Sequence, residues 1–391
     1  MINLTRLWTG RSQPADNLRY GRGHGAAASA AARRPVVVWS ITQSCNLRCI
    51  HCYADSTPRM YPGELTPGEC SAVLADLKAF GVPVVLLSGG EPLVHPRFFE
   101  IAREARGLGL RLTLSTNGTR ITDAVAAKLR EIDFGYVGIS LDGIGAVHDF
   151  FRGKKGAFDL AVRAFKACQK VDQKCGLRLT LTRHNADEID RILDFVEAMN
   201  IPRVCFYHLV PSGRGLSLEL LPDDITRSVL QRILTRIDAW DRQGIVREVL
   251  TVDQPADAVF LLQRLQHTKP ERYQEALELL GWNGGGLHST GTGIANIDAT
   301  GNVHPDQFWQ DYTIGNVRKT PFSQLWGKPT DPLLLQLRER KAHLTGRCAS
   351  CAHLDYCGGG FRSRAAHVTG DPWASDPGCY LHDQEIAHSL S

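Results

Sequence analysis

The sequence predicts an α/β protein built on a parallel sheet, followed by a smaller cysteine-bearing module. Apolar, β-branched runs alternate with runs at helical spacing through residues 35–215, the pattern of repeated βα units. Most of the eleven cysteines fall in two clusters, one after the first apolar run and one near the C-terminus. The 391 residues allow two or three structural units at roughly 150 residues each. With 43% hydrophobic and 22% charged residues, the chain is globular rather than disordered or coiled-coil.

The elements follow in order. Residues 1–34 are rich in Gly, Ala and Arg and read as a flexible basic tail. They hold six arginines against one acid, Asp16, which more than accounts for the net charge of +4. A uniformly basic nucleic-acid-binding body is therefore not expected. The alanine-rich tract 26–32 lies too far in, and before Arg33 and Arg34, to be an export signal. No stretch approaches the roughly 20 apolar residues of a membrane helix. The cysteines are accordingly read as thiolates of a reducing cytoplasm rather than as disulfides.

Strands are expected at 36–41, 82–87, 110–115, 134–140, 176–182 and 203–208. Helices are expected at 66–81, 96–108, 123–131, 157–171 and 187–199. Thr66 and Pro67 are an N-cap and a first-turn proline. Six such units make either an incomplete barrel or an open doubly wound sheet. Residues 216–290 read as a helical bridge interrupted at Gly284 to Gly286, and 291–391 as a turn-rich module of short strands.

Cys45, Cys49 and Cys52 form a C-x3-C-x2-C cluster just after the first strand. Zinc prefers four closed ligands, whereas three thiolates on a [4Fe-4S] cube leave one iron open to a small molecule. Ser88-Gly89-Gly90-Glu91-Pro92 follows the second strand, Ser115-Thr116-Asn117-Gly118 ends the third and Ser140-Leu141-Asp142-Gly143 ends the fourth. These polar residues thus gather at one rim of the sheet, where α/β folds place ligands.

With these motifs in this order, the chain resembles the radical SAM enzymes. The resemblance implies a partial (β/α)6 TIM-type barrel over 35–215. Cys45, Cys49 and Cys52 would be the catalytic cluster ligands. The run Gly89, Gly90, Glu91, Pro92 would bind the methionine end of S-adenosylmethionine. Ser115, Asn117 and Asp142 would be further cofactor contacts, with Ser140 and Arg152 at its ribose or carboxylate and His51 near adenine. An electron passed through the cluster would cleave the sulfonium and yield a 5'-deoxyadenosyl radical.

Cys348, Cys351, Cys357 and Cys379 can close every iron of a second [4Fe-4S] cube; a zinc site is the alternative. Residues 291–391 resemble the SPASM iron-sulfur module, with Asp306 and Phe361 where that module usually has cysteines. One auxiliary cluster is therefore expected, making two clusters per chain. His304, Asp306, Trp309, Arg362 and Arg364 are weighed as substrate contacts or as structural residues. Cys70, Cys168, Cys175 and Cys205 read as buried thiols.

The segments FGYVGISLDG (134–143), GLRLTLTRHN (176–185), His208 with Gly213-Arg214-Gly215, GIANID (293–298), GNVHP (301–305) and GDPWASDPGCYL (370–381) are similar to NirJ-type proteins of heme d1 biosynthesis. That resemblance implies a tetrapyrrole substrate, 12,18-didecarboxysiroheme, losing its two propionates. It also implies an electron donor such as flavodoxin or ferredoxin, with neither nucleic acid nor membrane as partner. Alternatives are an AhbD-type heme synthase acting on iron-coproporphyrin, a SPASM peptide maturase, and a non-enzymatic iron-sulfur electron carrier.

Overall fold

In the computed structural model, which describes residues 1–13, 16 and 34–387, eleven strands form one sheet. They are β1 (Ile2–Asn3), β2 (Val36–Thr42), β3 (Val85–Gly89), β4 (Leu112–Thr116), β5 (Tyr136–Ser140), β6 (Cys175–Leu181), β7 (Arg203–His208), β8 (Glu248–Val252), β9 (Ile294–Ile297), β10 (Asn302–His304) and β11 (Gly315–Asn316). The spatial order is β1-β8-β7-β6-β5-β4-β3-β2-β9-β10-β11. Strands β2 to β8 are parallel, each beside its sequence neighbour. A doubly wound sheet reverses strand order at a switch point; this one does not, so the incomplete barrel is the architecture.

Alternation explains how one sheet has two unlike faces. On β5 and β6, Val137, Ile139, Leu177 and Leu179 are buried in the core that the helices cover. Gly138, Ser140, Arg178 and Thr180 take the other parity and turn toward the barrel interior. The crossover helices start and stop where their chemistry directs. The helix Pro67–Phe80 opens with a capping box between Thr66 and Glu69 and ends at Gly81, whose φ of 80° needs no Cβ.

Two expectations require correction. The residues read as a flexible tail begin with structure: β1 pairs antiparallel with β8, and the helix Leu4–Thr9 buries Leu4, Leu7 and Trp8. Asn3 caps that helix by accepting from the Arg6 N–H at 3.0 Å, and the Trp8 indole N–H donates to Asp238 at 2.8 Å. Polar and arginine residues interrupt the apolar stripe, which is why composition hid it. Residues 14–15 and 17–33 of the expected tail lie outside the described residues. Trp8→Ala is expected to cost about 3–5 kcal/mol, read as a lowered denaturant midpoint at unchanged slope.

The helical bridge is also not wholly helical. Between the helices Asp223–Arg242 and Ala256–Thr268, β8 adds a seventh parallel strand, every residue of it buried. Likewise β9, expected in a separate module, pairs in parallel with β2. Sheet hydrogen bonding therefore runs unbroken across the anticipated domain boundaries.

Candidate active site

The cysteine loop leaves the C-terminal end of β2 and is clamped from outside by Arg214. Its backbone N–H donates to the Cys52 carbonyl at 3.0 Å. Its side chain donates to the carbonyls of Cys49 at 2.8 Å and Ser56 at 2.9 Å and pairs with Asp55 at 2.6 Å. A Cβ on Gly213 would lie 2.5 Å from the Tyr53 carbonyl, and φ there is +53°. The Gly-Arg-Gly run is thus a clamp on the loop.

The clamp turns three thiols inward. Cys45 and Cys49 are buried and Cys52 half-buried. Burial, then Glu91 and the neighbouring thiols, push Cys45 up to about 12; burial likewise raises Cys49 against the pull of Arg152. Buried thiols such as Cys45 and Cys49 are stable as thiolates only around a cationic centre. That is the donor set an iron-sulfur cube takes.

Gly89 and Gly90 press against the base of this loop. A Cβ on Gly89 would sit 2.2 Å from the Thr42 carbonyl, and one on Gly90 2.2 Å from that of Ser44. The backbone N–H groups of Gly90 and Glu91 donate to those same two carbonyls at 2.8 and 2.9 Å. Glu91 itself does not line the cleft, and neither does Pro92. The Glu91 carboxylate is fully buried and accepts from the Thr116 hydroxyl (2.7 Å), the Asn117 N–H (2.7 Å) and the Leu93 N–H (3.1 Å). Glu91 thus ties the β3 rim to the β4 rim behind the glycine wall.

The other expected contacts do share one cleft. Cys45, Cys49, Cys52, His51, Gly89, Gly90, Ser115, Asn117, Ser140, Asp142 and Arg152 all line it, and its empty volume, open to solvent, is about 1090 Å³. Asp142 is ion-paired with Arg152 and accepts from the Thr180 N–H at 2.9 Å. Burial alone would raise its carboxyl, but Arg152, His51 and His148 hold it below the ordinary value. Arg152 also reaches the Cys49 sulfur at 3.6 Å, linking the rim to the cluster loop. Burial lowers His51 to about 4, so its ring is neutral, and it packs against Phe151 at 5.0 Å. The His51 Nδ1 and Arg152 Nε are buried without hydrogen-bond partners. Orphaned donors and acceptors beside a glycine cradle fit a ligand rich in polar groups, as S-adenosylmethionine is.

Several cleft residues were not among the contacts expected from the sequence: Tyr53, Arg178, Tyr207, His208, Gln307 and Phe308, although Arg178 and His208 lie in the segments that carried the resemblance. The signal available was parity, since Arg178, Thr180 and Tyr207 break the apolar pattern of their strands on the inward side. His208 Nε2 lies 3.0 Å from Asp257, and Asp257 accepts from the Tyr380 hydroxyl at 2.7 Å. Phe308 packs edge-on against Tyr53 at 5.3 Å and against Phe361 at 5.8 Å, so the C-terminal half closes over the cleft.

The four C-terminal cysteines also converge. Burial, then the charges of Cys379, Cys348 and Cys351, push Cys357 well above its ordinary value; burial raises Cys379 to about 11. Asp306 is saturated: it accepts from Thr290 at 2.6 Å, from Ser363, and from the N–H groups of Phe308 and Trp309 at 2.9 and 3.2 Å. It has no capacity left for iron.

The arginines weighed as substrate grips are structural. Arg364 forms a bidentate pair with Asp376 at 2.8 and 2.7 Å, and Arg362 donates to the carbonyls of Pro372, Ala374 and Gly359. His304 is buried between the Tyr312 carbonyl at 2.7 Å and Asp298 at 3.4 Å, and Trp309 is buried beside Tyr312. Cys70, Cys168, Cys175 and Cys205 are buried. No helix among the described residues is long and apolar enough to cross a membrane.

Comparison with known proteins agrees with this geometry. Residues 39–196 match the Radical SAM superfamily and 289–352 an iron-sulfur cluster-binding domain. The chain is 44% identical to the Fe-coproporphyrin III synthase of Methanosarcina barkeri over 99% of both chains. It is 42% identical to the pre-heme d1 synthase of Dinoroseobacter shibae over 89% of this chain and 86% of that one. Streptococcus suis SuiB bound to S-adenosylmethionine shares the fold at a TM-score of 0.68 and 18% identity, over 95% of this chain and 84% of that one. A barrel rim with three convergent thiols, a matching family model and full-length relatives together place the chain in the radical SAM superfamily, with a C-terminal SPASM iron-sulfur domain.

Proposed function

We propose that this chain removes carboxylate-bearing side chains from an iron-containing modified siroheme, and that it is a radical SAM enzyme of heme d1 biosynthesis taking two propionates from 12,18-didecarboxysiroheme. The observation that carries this reading is a single cleft joining the three-thiol loop to a half-buried arginine, Arg178, beneath an aromatic cover, in a chain with the relatives above. Bound at Cys45, Cys49 and Cys52, the cluster supplies with S-adenosylmethionine a 5'-deoxyadenosyl radical able to take hydrogen from an unactivated carbon.

The chain's own residues hold and shield. Asn117 and Arg152 donate toward the cluster thiolates and stabilise their charge. Gly89 and Gly90 give the methionine end a close backbone approach, and Ser115, Ser140 and the Asp142–Arg152 pair offer polar contacts to the rest of the cofactor. Neutral His51 offers its unpartnered Nδ1. Tyr53 and Phe308 cover the cleft and exclude water. Cys348, Cys351, Cys357 and Cys379 hold one auxiliary cluster, with an electron donor of the flavodoxin or ferredoxin kind and a cytoplasmic location. Cys357→Ala is expected to lower iron per chain by roughly half, with S-adenosylmethionine affinity within about twofold of the parent; metal analysis and equilibrium dialysis check both.

A second reading has a specific observation behind it. The 44% relative aligns along 99% of each chain, and its name describes formation of Fe-coproporphyrin III, a product that keeps its propionates. Anaerobic incubation of reduced, reconstituted protein with S-adenosylmethionine and 12,18-didecarboxysiroheme tests both. Substrate-dependent 5'-deoxyadenosine with loss of propionate mass supports the first. Fe-coproporphyrin III as product supports the second. An untouched tetrapyrrole with coproheme turned over instead would replace both by a heme synthase.

A further inference from the structure

Three arginines line the cleft, and two have carboxylates. Arg152 pairs with Asp142 and Arg214 with Asp55. Arg178 forms no ion pair among the described residues. Its hydrogen bond is to the Tyr207 hydroxyl, and its guanidinium lies over the same ring at 4.7 Å. Burial pushes the ionisation of Tyr207 and Tyr136 up, so both phenols are neutral and give no counter-charge.

An arginine drawn from bulk water without an anion is costly. Other buried or half-buried arginines of this chain show how the fold ordinarily meets that cost: Arg203 has Glu248, Arg364 has Asp376, and Arg340 spreads its donors over five carbonyls and hydroxyls at distances up to 3.1 Å. Space for Arg178 is built in, too. A Cβ on Gly138 would lie 2.3 Å from the Arg178 Cδ, so β5 carries glycine where the arginine stem passes. The side chain is thus accommodated by the strand, oriented by Tyr207 and left, among the described residues, with further donors free at a cleft wall.

We propose that Arg178 binds a carboxylate side chain of the substrate. This rests on the tetrapyrrole reading above and adds the residue that would recognise the acid. The other carboxylate that could enter is the aminoacyl group of S-adenosylmethionine. Arg152 reaches the Cys49 sulfur and Arg214 the carbonyls of the cysteine loop, whereas Arg178 stands on β6 facing Tyr207 of β7. The fork of a guanidinium matches a carboxylate with two parallel hydrogen bonds, and Tyr207 holds it pre-oriented.

The test uses full-length, cluster-reconstituted protein and reads binding rather than turnover. 12,18-Didecarboxysiroheme and its methyl ester are titrated by the shift of the tetrapyrrole absorption band, and S-adenosylmethionine is measured separately by equilibrium dialysis. The parent is expected to bind the acid at least about tenfold tighter than the ester. Arg178→Met is expected to erase that preference, Arg178→Lys to keep part of it, and both to bind S-adenosylmethionine within about twofold of the parent. Retention of the full acid preference by Arg178→Met overturns the proposal. So does a loss of S-adenosylmethionine affinity with the tetrapyrrole preference intact, which would assign Arg178 to the cofactor. A parent that binds neither tetrapyrrole instead brings down the proposed function, and this inference with it. Should Arg178→Met lose its far-UV dichroism, Arg178→Gln, which keeps a donor toward Tyr207, is read by the same criterion.

Discussion

Cys49→Ala is expected to reduce 5'-deoxyadenosine formation to the uncatalysed background while leaving roughly half of the iron in place. A cube bound at Cys45, Cys49 and Cys52 would have no spare cysteine nearby among the described residues: Cys70, the next cysteine along the chain, is buried with its thiol toward the Leu65 carbonyl at 3.8 Å. Removing Cys49 also strips Arg152 of its sulfur acceptor. The auxiliary thiols belong to a different part of the chain, so their iron should persist. Chromatographic quantification of deoxyadenosine alongside iron analysis checks both halves, and unchanged cleavage of S-adenosylmethionine would contradict the assignment of this loop.

Glu91→Gln is expected to weaken cofactor binding without touching a cluster ligand. One carboxylate oxygen of Glu91 serves Thr116 and Leu93 and the other serves the Asn117 N–H. An amide can present an oxygen to only one of the two backbone N–H groups, so the other loses its acceptor inside the protein. That costs about 1–3 kcal/mol, and the strain falls on Asn117, which lines the cleft and points its amide at Cys45. S-adenosylmethionine affinity should fall by about tenfold or more, measured by equilibrium dialysis on reconstituted protein. An affinity equal to the parent's would mean that the two rims hold without this carboxylate.

Glu91 also shows where sequence reasoning reached its limit. Its motif was visible, and so was its association with the cofactor end of the barrel. Whether the carboxylate touches a ligand or braces the wall depends on which way one side chain turns, and spacing carries no such information. Asp306 is the converse case. Its place where a cysteine usually stands marked it as different, but only its four hydrogen bonds show that it replaces a cluster ligand with a closed polar knot.

The N-terminal helix and β8 were missed for a related reason. Leu4, Leu7 and Trp8 make an amphipathic turn too short for periodicity to stand out, and five residues of β8 are hidden among long helical runs. Both become necessary once the sheet exists, because β7 would otherwise present an open edge. Arg178 was overlooked because an arginine within a strand is usually a solvated one. It is significant only through the neighbours that β5 and β7 bring to it.

By itself the sequence determined the βα alternation, the two cysteine clusters and the rim that gathers Gly89, Gly90, Ser115, Asn117, Ser140 and Asp142, since periodicity, cysteine spacing and turn chemistry are local properties of the chain. The tertiary structure alone decided that the sheet is singly wound and continuous through β9, that Glu91 braces the β3 and β4 rims, that Arg362 and Arg364 are structural, and that Arg178 faces the cleft with no carboxylate partner among the described residues. Each of these depends on contacts between residues far apart in the chain, where burial and the pairing of charges are settled only after the strands have closed upon one another.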